Sequence, residues 1–265
     1  MSRGAGQPHC IVRRAAPRTR GSPLLFVHGA FCGAWCWDEH FLPYFAEHGY
    51  DAWAVDLRGH GVDGEDAGFA SIEDYVEDVL AAAAVIGEPP VLLGHSMGAI
   101  VVQRAWRRAR ASALALLAPV PLQGVLGSSL MLALNSPEIF IEINGLQSFS
   151  GVHSASAQLR QAIFSEALPA AESWRHLRRM RNESQRALFD LGWPQQPWIE
   201  PADIPVKVFA AANDRLFPPS TVEDTAQWHR GELDILQDTA HAMMLDVRWR
   251  GAAQRIASWL DGLQP

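Results

Sequence analysis

The sequence predicts an α/β fold with a mostly parallel central sheet and helices on both faces. Short apolar runs of buried-strand length alternate with segments of helical spacing, which is typical of strand–helix–strand units. The alternation breaks once, and residues 121–201 show helical pieces and loops only. We therefore expect a core domain formed by residues 1–120 and 202–265, with residues 121–201 as a helical cap over the ends of the strands.

Each element rests on a local pattern. The predicted strands are 10–13, 23–28, 51–55, 91–94, 113–118, 206–212 and 233–236. The predicted helices are 38–48, 71–86, 97–110, 219–229 and 248–260. Ser71, followed by Glu73 and Asp74, is a suitable N-cap for the second helix.

Composition limits the class of protein. The chain has 265 residues, of which 48% are hydrophobic, and a net charge of −7, which argues against nucleic acid or an anionic membrane as a partner. The first twenty residues lack the apolar core of a secretory signal, and no run of about 18 apolar residues predicts an integral membrane segment. Three cysteines without a disulfide framework favour a reducing, cytoplasmic location. The oligomeric state stays open, with a homodimer among the alternatives.

Cys32 and Cys36 have C-x3-C spacing, but no second Cys or His pair follows at an interval suited to zinc. We therefore predict no metal site and no cofactor.

Ser96 is the predicted nucleophile. Gly94-His95-Ser96-Met97-Gly98 follows a buried strand and opens a helix, which is the setting that a G-x-S-x-G turn requires. The flanking glycines let strand and helix approach closely, and the helix N-terminus presents free N–H groups where negative charge develops.

A serine hydroxyl needs a base, and the base needs a third group that orients it. His241 follows the last strand directly and so lies at the same sheet edge as Ser96, whereas His229 closes a helix and is assigned a structural role. Asp214, in the loop after strand 206–212, is the best candidate for the acid. Asp238 shares a loop with His241, which makes its approach awkward.

An oxyanion hole needs two backbone donors. The N–H of Met97, directly after the nucleophile, is one. The other is expected from the loop after strand 23–28, with Ala30 as first choice and Phe31 as second. His28 ends that strand and is expected to brace the loop, and His60 is expected near the rim.

These residues resemble the α/β-hydrolase superfamily from about residue 23 to residue 260. The segment His28-Gly-Ala-Phe-Cys-Gly-Ala-Trp-Cys-Trp37 resembles the plant methylesterase and hydroxynitrile lyase group. The loop Asp56-Leu-Arg-Gly-His-Gly61 is instead common in bacterial esterases and lactonases. The resemblance implies the α/β-hydrolase fold and a carboxylesterase activity, with Ala30 and Met97 as oxyanion donors. Lyases of the group need a Lys near the catalytic His, which this chain lacks.

The expected function is hydrolysis of a small to medium, largely apolar ester through an acyl-enzyme on Ser96. The same triad also suits lactone opening, C–C bond hydrolysis, acyl transfer or lyase chemistry, and a ligand-binding protein without activity is a further alternative. His95, Trp174 and Phe140 are the predicted substrate contacts. Trp35 and Trp37 are expected to pack the first helix on the sheet. The arginines of 175–186 are expected to form a solvated face, with recognition of a substrate carboxylate as the alternative.

Overall fold

The computed structural model describes residues 8–61, 68–127 and 157–263. Its strands are β1 (Cys10–Arg13), β2 (Leu24–Val27), β3 (Ala52–Val55), β4 (Val91–His95), β5 (Ala113–Leu117), β6 (Val206–Ala211) and β7 (Glu232–Leu236). They form one sheet in the order β1-β3-β2-β4-β5-β6-β7. Within this sheet of described residues, the β1–β3 pair is antiparallel and the other neighbours are parallel, so the predicted fold class is confirmed.

Strands β2, β3 and β5 form where the sequence runs continuously apolar. Every residue of β2, β3, β4 and β5 is buried, as expected for parallel strands covered on both faces. β7 at the edge mixes exposed and buried residues. The carboxyl ends of the parallel strands share one edge of the sheet, and this edge carries the loops that hold Ser96, Asp214 and His241.

The helices are α1 (Trp35–Asp38), α2 (Phe41–Glu47), α3 (Ile72–Ile86), α4 (Met97–Ala105), α5 (Ala157–Ile163), α6 (Ala170–Leu177), α7 (Gln185–Gly192), α8 (Pro219–Trp228) and α9 (Trp249–Gly262), with a 3-10 turn at Gln196–Trp198. The Ser71 cap is confirmed: its Oγ accepts the Asp74 N–H at 3.2 Å, and the Asp74 carboxylate accepts the Ser71 N–H at 2.8 Å.

Two predicted helices were too long. The helix predicted over 38–48 forms only over Phe41–Glu47, because His40 before it has a non-helical φ of −143° and stacks on Trp249, with ring centroids 4.5 Å apart. The helix predicted over 97–110 ends at Ala105, and the chain reverses at Arg110, where φ is 53°. Between Ala105 and Arg110 the chain continues in hydrogen-bonded turns, such as the one from the Ala109 N–H to Ala105 O at 2.9 Å, so the predicted bound included these turns.

The insertion packs on both faces of the sheet. One apolar cluster joins Phe26 and Trp37 to Leu159, Phe164 and Leu177. A second joins helix α4 to the insertion's later residues Ala187, Leu191 and Ile199. Helices α5 to α7 therefore share core with the sheet domain. Residues 128–156 lie outside the described residues, so the cap boundaries 121–201 stay a prediction.

Trp37 is fully buried and packs on Phe26 at 5.0 Å between ring centroids, which confirms its predicted packing role. Across the described stretches, no helix has both the length and the apolar character needed to cross a membrane.

Candidate active site

Ser96 occupies a sharp turn between β4 and α4. Its φ of 53° and ψ of −117° lie outside the regions that side chains favour, a strain that costs about 1–3 kcal/mol. Hydrogen bonds from the Ser96 N–H to Leu117 O (3.0 Å) and from the Ala99 N–H to Ser96 O (3.0 Å) hold this conformation. The turn places Ser96 between the end of β4 and the start of α4.

Two glycines make the turn sterically possible. A Cβ at Gly94 would lie 2.4 Å from Gly98 O, and a Cβ at Gly98 would lie 2.4 Å from His28 O. Both clashes involve backbone atoms, which cannot move aside. The spacing of the two glycines around Ser96 therefore sets how closely α4 approaches β2.

Asp214 and His241 meet at the same sheet edge. His241 Nδ1 lies 2.7 Å from Asp214 Oδ2, and both residues are buried. The other carboxylate oxygen, Oδ1, accepts the N–H groups of Leu216 (2.8 Å) and Phe217 (2.9 Å). The carboxylate is thus fixed by the backbone of its own loop and accepts a hydrogen bond from Nδ1 of His241, which leaves Nε2 as the basic atom.

Two other aspartates near His241 in the sequence, Asp238 and Asp246, have other contacts. The Asp238 side chain is 76% exposed and lies 3.9 Å from Arg248. Asp246 is buried, but its carboxylate accepts the N–H and the hydroxyl of Ser165, both at 2.6 Å. Asp214 is therefore the carboxylate that is hydrogen-bonded to His241.

The His95 side chain contacts the backbone of His241. Its Nε2 donates to the carbonyl oxygen of His241 at 2.9 Å, and the two ring centroids are 4.7 Å apart. Burial lowers the pKa of His95 well below its usual value, so the ring is neutral. This supporting role was missed in the sequence, since nothing local in it signals a contact across 146 residues.

The other predicted substrate contacts stay predictions. Trp174 is half-buried against the apolar cluster around Phe26. Phe140 lies outside the described residues. His95 uses one ring nitrogen on the protein backbone, and its contact with substrate also stays a prediction.

The two first-choice oxyanion donors are available. The N–H groups of Ala30 and Met97 have no hydrogen-bond acceptor among the described residues. Gly29, which precedes Ala30, lies so close to Ser96 that a Cβ there would be 3.0 Å from the Ser96 Cβ. The loop after β2 therefore adjoins the nucleophile, as the sequence predicted.

Phe31, the second choice for the oxyanion hole, is corrected by the structure. Its N–H donates to Glu183 Oε2 at 3.2 Å and is therefore already satisfied. Among the two candidates from this loop, Ala30 is the one with an available N–H.

His28 braces the loop as expected. Its Nδ1 donates to Gly29 O at 2.9 Å, and its Nε2 accepts the Leu57 N–H at 3.1 Å. His60 was expected near the rim, and this was wrong. Its side chain is fully buried, 3.0 Å from Glu183 Oε2, because the insertion covers it.

The arginines of 175–186 act mostly through surface ion pairs. Arg175 and Arg179 both reach Glu39, at 2.7 and 3.2 Å. Arg178, Arg179 and Arg181 line a cavity of 510 Å³, and Ser96 is not among its lining residues. The alternative, recognition of a carboxylate on the substrate, stays a prediction.

Three buried histidines outside the triad give a testable pH dependence. Burial lowers the pKa of His28, His176 and His229 to about 4 in each case. The unfolded chain takes up protons on these rings near pH 6.5, while the native state does not until about pH 4. The free energy of unfolding should therefore fall as pH is lowered through this window, by about 1.4 kcal/mol per pH unit for each ring.

His176 is the best place to test this. Its ring stacks on Trp35 and Phe164, and neither ring nitrogen has a partner among the described residues. We expect His176→Phe to raise stability more at pH 5 than at pH 8, measured by urea unfolding at both values. Equal changes at the two pH values would contradict this.

The fold and the site together define a class of protein. A mostly parallel sheet carries a serine on a tight turn, and the same edge of the sheet carries a buried His–Asp pair. Two N–H groups near the serine have no acceptor in the described part of the chain. The sequence profile of the Alpha/beta hydrolase family matches residues 24–255. The chain therefore belongs to the alpha/beta hydrolase family.

Individual relatives match only part of the chain. The chain is 34% identical to methyl jasmonate esterase 1 of Vitis vinifera over 88 residues, which is 32% of this chain and 33% of that protein. It is 36% identical to a non-heme chloroperoxidase of Streptomyces lividans over 90 residues, 34% of this chain and 32% of that one. The matches thus span about a third of each of these curated relatives.

Among solved structures, the chain resembles a monoacylglycerol lipase of Paleococcus ferrophilus, with a TM-score of 0.72 and 18% identity. That match covers 97% of this chain and 100% of the other. It shows the shared fold. The relatives are named for different activities, so the family by itself does not set the reaction.

Proposed function

We propose that this chain is a serine carboxylic-ester hydrolase that acts on a small to medium, largely apolar ester. The observation that carries the proposal is the His241–Asp214 contact of 2.7 Å at the sheet edge that also bears Ser96 on its strained turn. The partial match to a methyl jasmonate esterase supports ester hydrolysis over other reactions of the fold.

The proposed reaction has two steps. His241 Nε2 takes the proton of the Ser96 hydroxyl as its oxygen attacks the ester carbonyl, and Asp214 stabilises the imidazolium that forms. The N–H groups of Met97 and Ala30 hold the oxyanion, and each contributes about 3 kcal/mol of transition-state stabilisation. The alcohol leaves with the proton from His241. Water, activated by His241, then releases the acid and restores Ser96.

The surroundings favour an apolar substrate. The Phe217 ring packs against the His241 ring, with centroids 5.6 Å apart, which puts an apolar side chain beside the proposed base. Cyanohydrin cleavage is disfavoured because the single lysine, Lys207, forms an ion pair with Glu232 at 2.8 Å on the neighbouring strand.

Labelling and turnover test the proposal together. We expect a fluorophosphonate to modify Ser96 and p-nitrophenyl esters of short acids to be hydrolysed, with both signals absent in Ser96→Ala. The panel should include a lactone, a β-diketone and a peracid-forming assay. Turnover of one of these with inert esters would replace ester hydrolysis by that reaction, and tight ligand binding without labelling of Ser96 would favour a non-catalytic protein.

A further inference from the structure

Glu183 is a buried carboxylate in the segment between α6 and α7, and it is 5% exposed. Its Oε1 accepts the hydroxyl of Tyr75 at 2.5 Å and the N–H of Ser184 at 2.8 Å. Its Oε2 accepts the N–H of Phe31 at 3.2 Å and lies 3.0 Å from His60 Nε2. Three of these neighbours donate hydrogen bonds to the carboxylate, and the fourth, His60 Nε2, lies at ion-pair distance from it. A carboxylate, with two acceptor oxygens and a negative charge, suits this set of neighbours.

The charge of Glu183 agrees with this environment. Burial by itself raises the pKa of the Glu183 carboxyl, but His60, Tyr75 and the Ser184 N–H outweigh it, and the net pKa lies below its usual value. His60 in turn has a raised pKa, because Glu183 and the Arg58 carbonyl outweigh the effect of its burial. The two side chains form a buried ion pair beside the loop that follows β2.

The peptide groups of Phe31 are held from both sides by one segment of the insertion. Glu183 takes the Phe31 N–H, and the Arg181 N–H donates to the Phe31 carbonyl at 2.8 Å. Phe31 has a φ of 63°, a left-handed conformation that a phenylalanine does not favour. These two hydrogen bonds therefore maintain a strained residue directly after Ala30, whose N–H is the proposed oxyanion donor.

Other contacts fix the ends of this loop. The His28 ring donates to the carbonyl of Gly29, and Asp56 accepts the Ala34 N–H at 2.7 Å. Both come from the sheet domain. Residues 181 and 183 come from the insertion and hold the middle of the loop, where the donor lies.

We propose that Glu183 is a positioning residue that sets the Ala30 N–H for the oxyanion by holding the peptide N–H of Phe31. This inference rests on the proposed ester hydrolysis. Glu183 does not touch the reacting atoms; it acts through the loop, and a misplaced donor is expected to cost about 10-fold to 100-fold in rate. The insertion thereby supplies part of the catalytic geometry as well as cover.

Glu183→Gln and Glu183→Asp are the test variants. Glutamine removes the charge and one of the two acceptor oxygens, and aspartate keeps the charge but withdraws the carboxylate by one methylene. Tyr75→Phe is the control, since it removes a donor from Oε1 and leaves the Phe31 contact on Oε2. Fluorophosphonate titration counts the competent sites, so that losses of folded protein are removed from kcat.

We expect kcat for p-nitrophenyl butyrate to fall by about 10-fold to 100-fold in both Glu183 variants, with KM near the wild-type value. Affinity for a trifluoromethyl ketone, whose adduct carries an oxyanion, should fall by a similar factor. Affinity for the matching methyl ketone should not change. Tyr75→Phe should lower the melting temperature while kcat and ketone affinity stay near wild type.

Two results would overturn the proposal: unchanged trifluoromethyl ketone affinity in both Glu183 variants, or an equal loss of kcat in Tyr75→Phe. Hydrogen exchange at the Phe31 amide distinguishes failure of the positioning role of Glu183 from failure of the proposed ester hydrolysis. If the wild type neither turns over esters nor labels at Ser96, ester hydrolysis is wrong. Faster Phe31 exchange confined to the Glu183 variants would still support the contact's positioning role, and unchanged exchange would reject it.

Discussion

Replacing Asp214 with Asn should lower kcat for ester hydrolysis by about 10⁴-fold while the protein stays folded. The reason lies in the donors around the carboxylate. Oδ1 accepts two backbone N–H groups, from Leu216 and Phe217, and Oδ2 faces His241 Nδ1. An amide at this position has one oxygen and one NH₂ group.

The backbone N–H groups of Leu216 and Phe217 determine the orientation of the side-chain amide in Asp214→Asn. With its oxygen toward Leu216 and Phe217, the side chain introduced by Asp214→Asn would satisfy both N–H groups; the opposite orientation would set its NH₂ against two donors. Its NH₂ therefore faces His241 Nδ1, which can then only accept. The neutral imidazole carries its proton on Nε2, and the atom that should take the Ser96 proton is no longer basic.

The measurement is kcat and KM for p-nitrophenyl esters, together with the rate of fluorophosphonate labelling at Ser96. Asp238→Asn is the matched control, since it makes the same change in an exposed aspartate on the loop that bears His241. We expect the control to keep near wild-type activity. Similar losses in both variants, or none in Asp214→Asn, would remove Asp214 from the proposed triad.

Much of this geometry could be predicted because its signals are local. Strands β2 to β5 are continuous apolar runs, and Ser71 with Asp74 specifies its own cap. Strands β4, β6 and β7 run parallel, so the loops that follow them lie at one edge of the sheet. The pattern of alternating strands and helices therefore suffices to predict that Ser96, Asp214 and His241 share this edge, without any knowledge of the loops' conformations.

The remainder depends on contacts that sequence spacing does not encode. Glu183 and Phe31 are 152 positions apart, and nothing near either residue indicates the other. The same holds for His60, which becomes buried only because the insertion covers it. By its place in the sequence Phe31 suits the oxyanion hole, but its N–H donates to Glu183. Local patterns thus predict elements and their order, whereas the contacts of the insertion set which of several adjacent N–H groups stays available.

The second large effect is expected at Gly98, on the helix side of the nucleophile turn. An alanine Cβ there would lie 2.4 Å from His28 O and 2.5 Å from Val27 O, so that either α4 or the end of β2 must move. Both atoms belong to the backbone of a fully buried strand and its continuation. We expect Gly98→Ala to lower the free energy of unfolding by roughly 3 kcal/mol, since overpacking against backbone has no rotamer to relieve it.

The same movement would separate the Met97 N–H from the Ala30 N–H, because α4 carries one and the loop after β2 carries the other. Fluorophosphonate labelling of the folded fraction should therefore slow as well. Gly251→Ala is the matched control: Gly251 also lies in a helix, α9, but its Cβ would meet nothing within 4 Å. That change should raise stability by about 0.5–1 kcal/mol through helix propensity. Urea unfolding of both variants distinguishes the two explanations. Helix propensity alone predicts a gain in stability for both glycine-to-alanine changes, whereas close backbone approach predicts a loss of stability at Gly98 and a gain at Gly251.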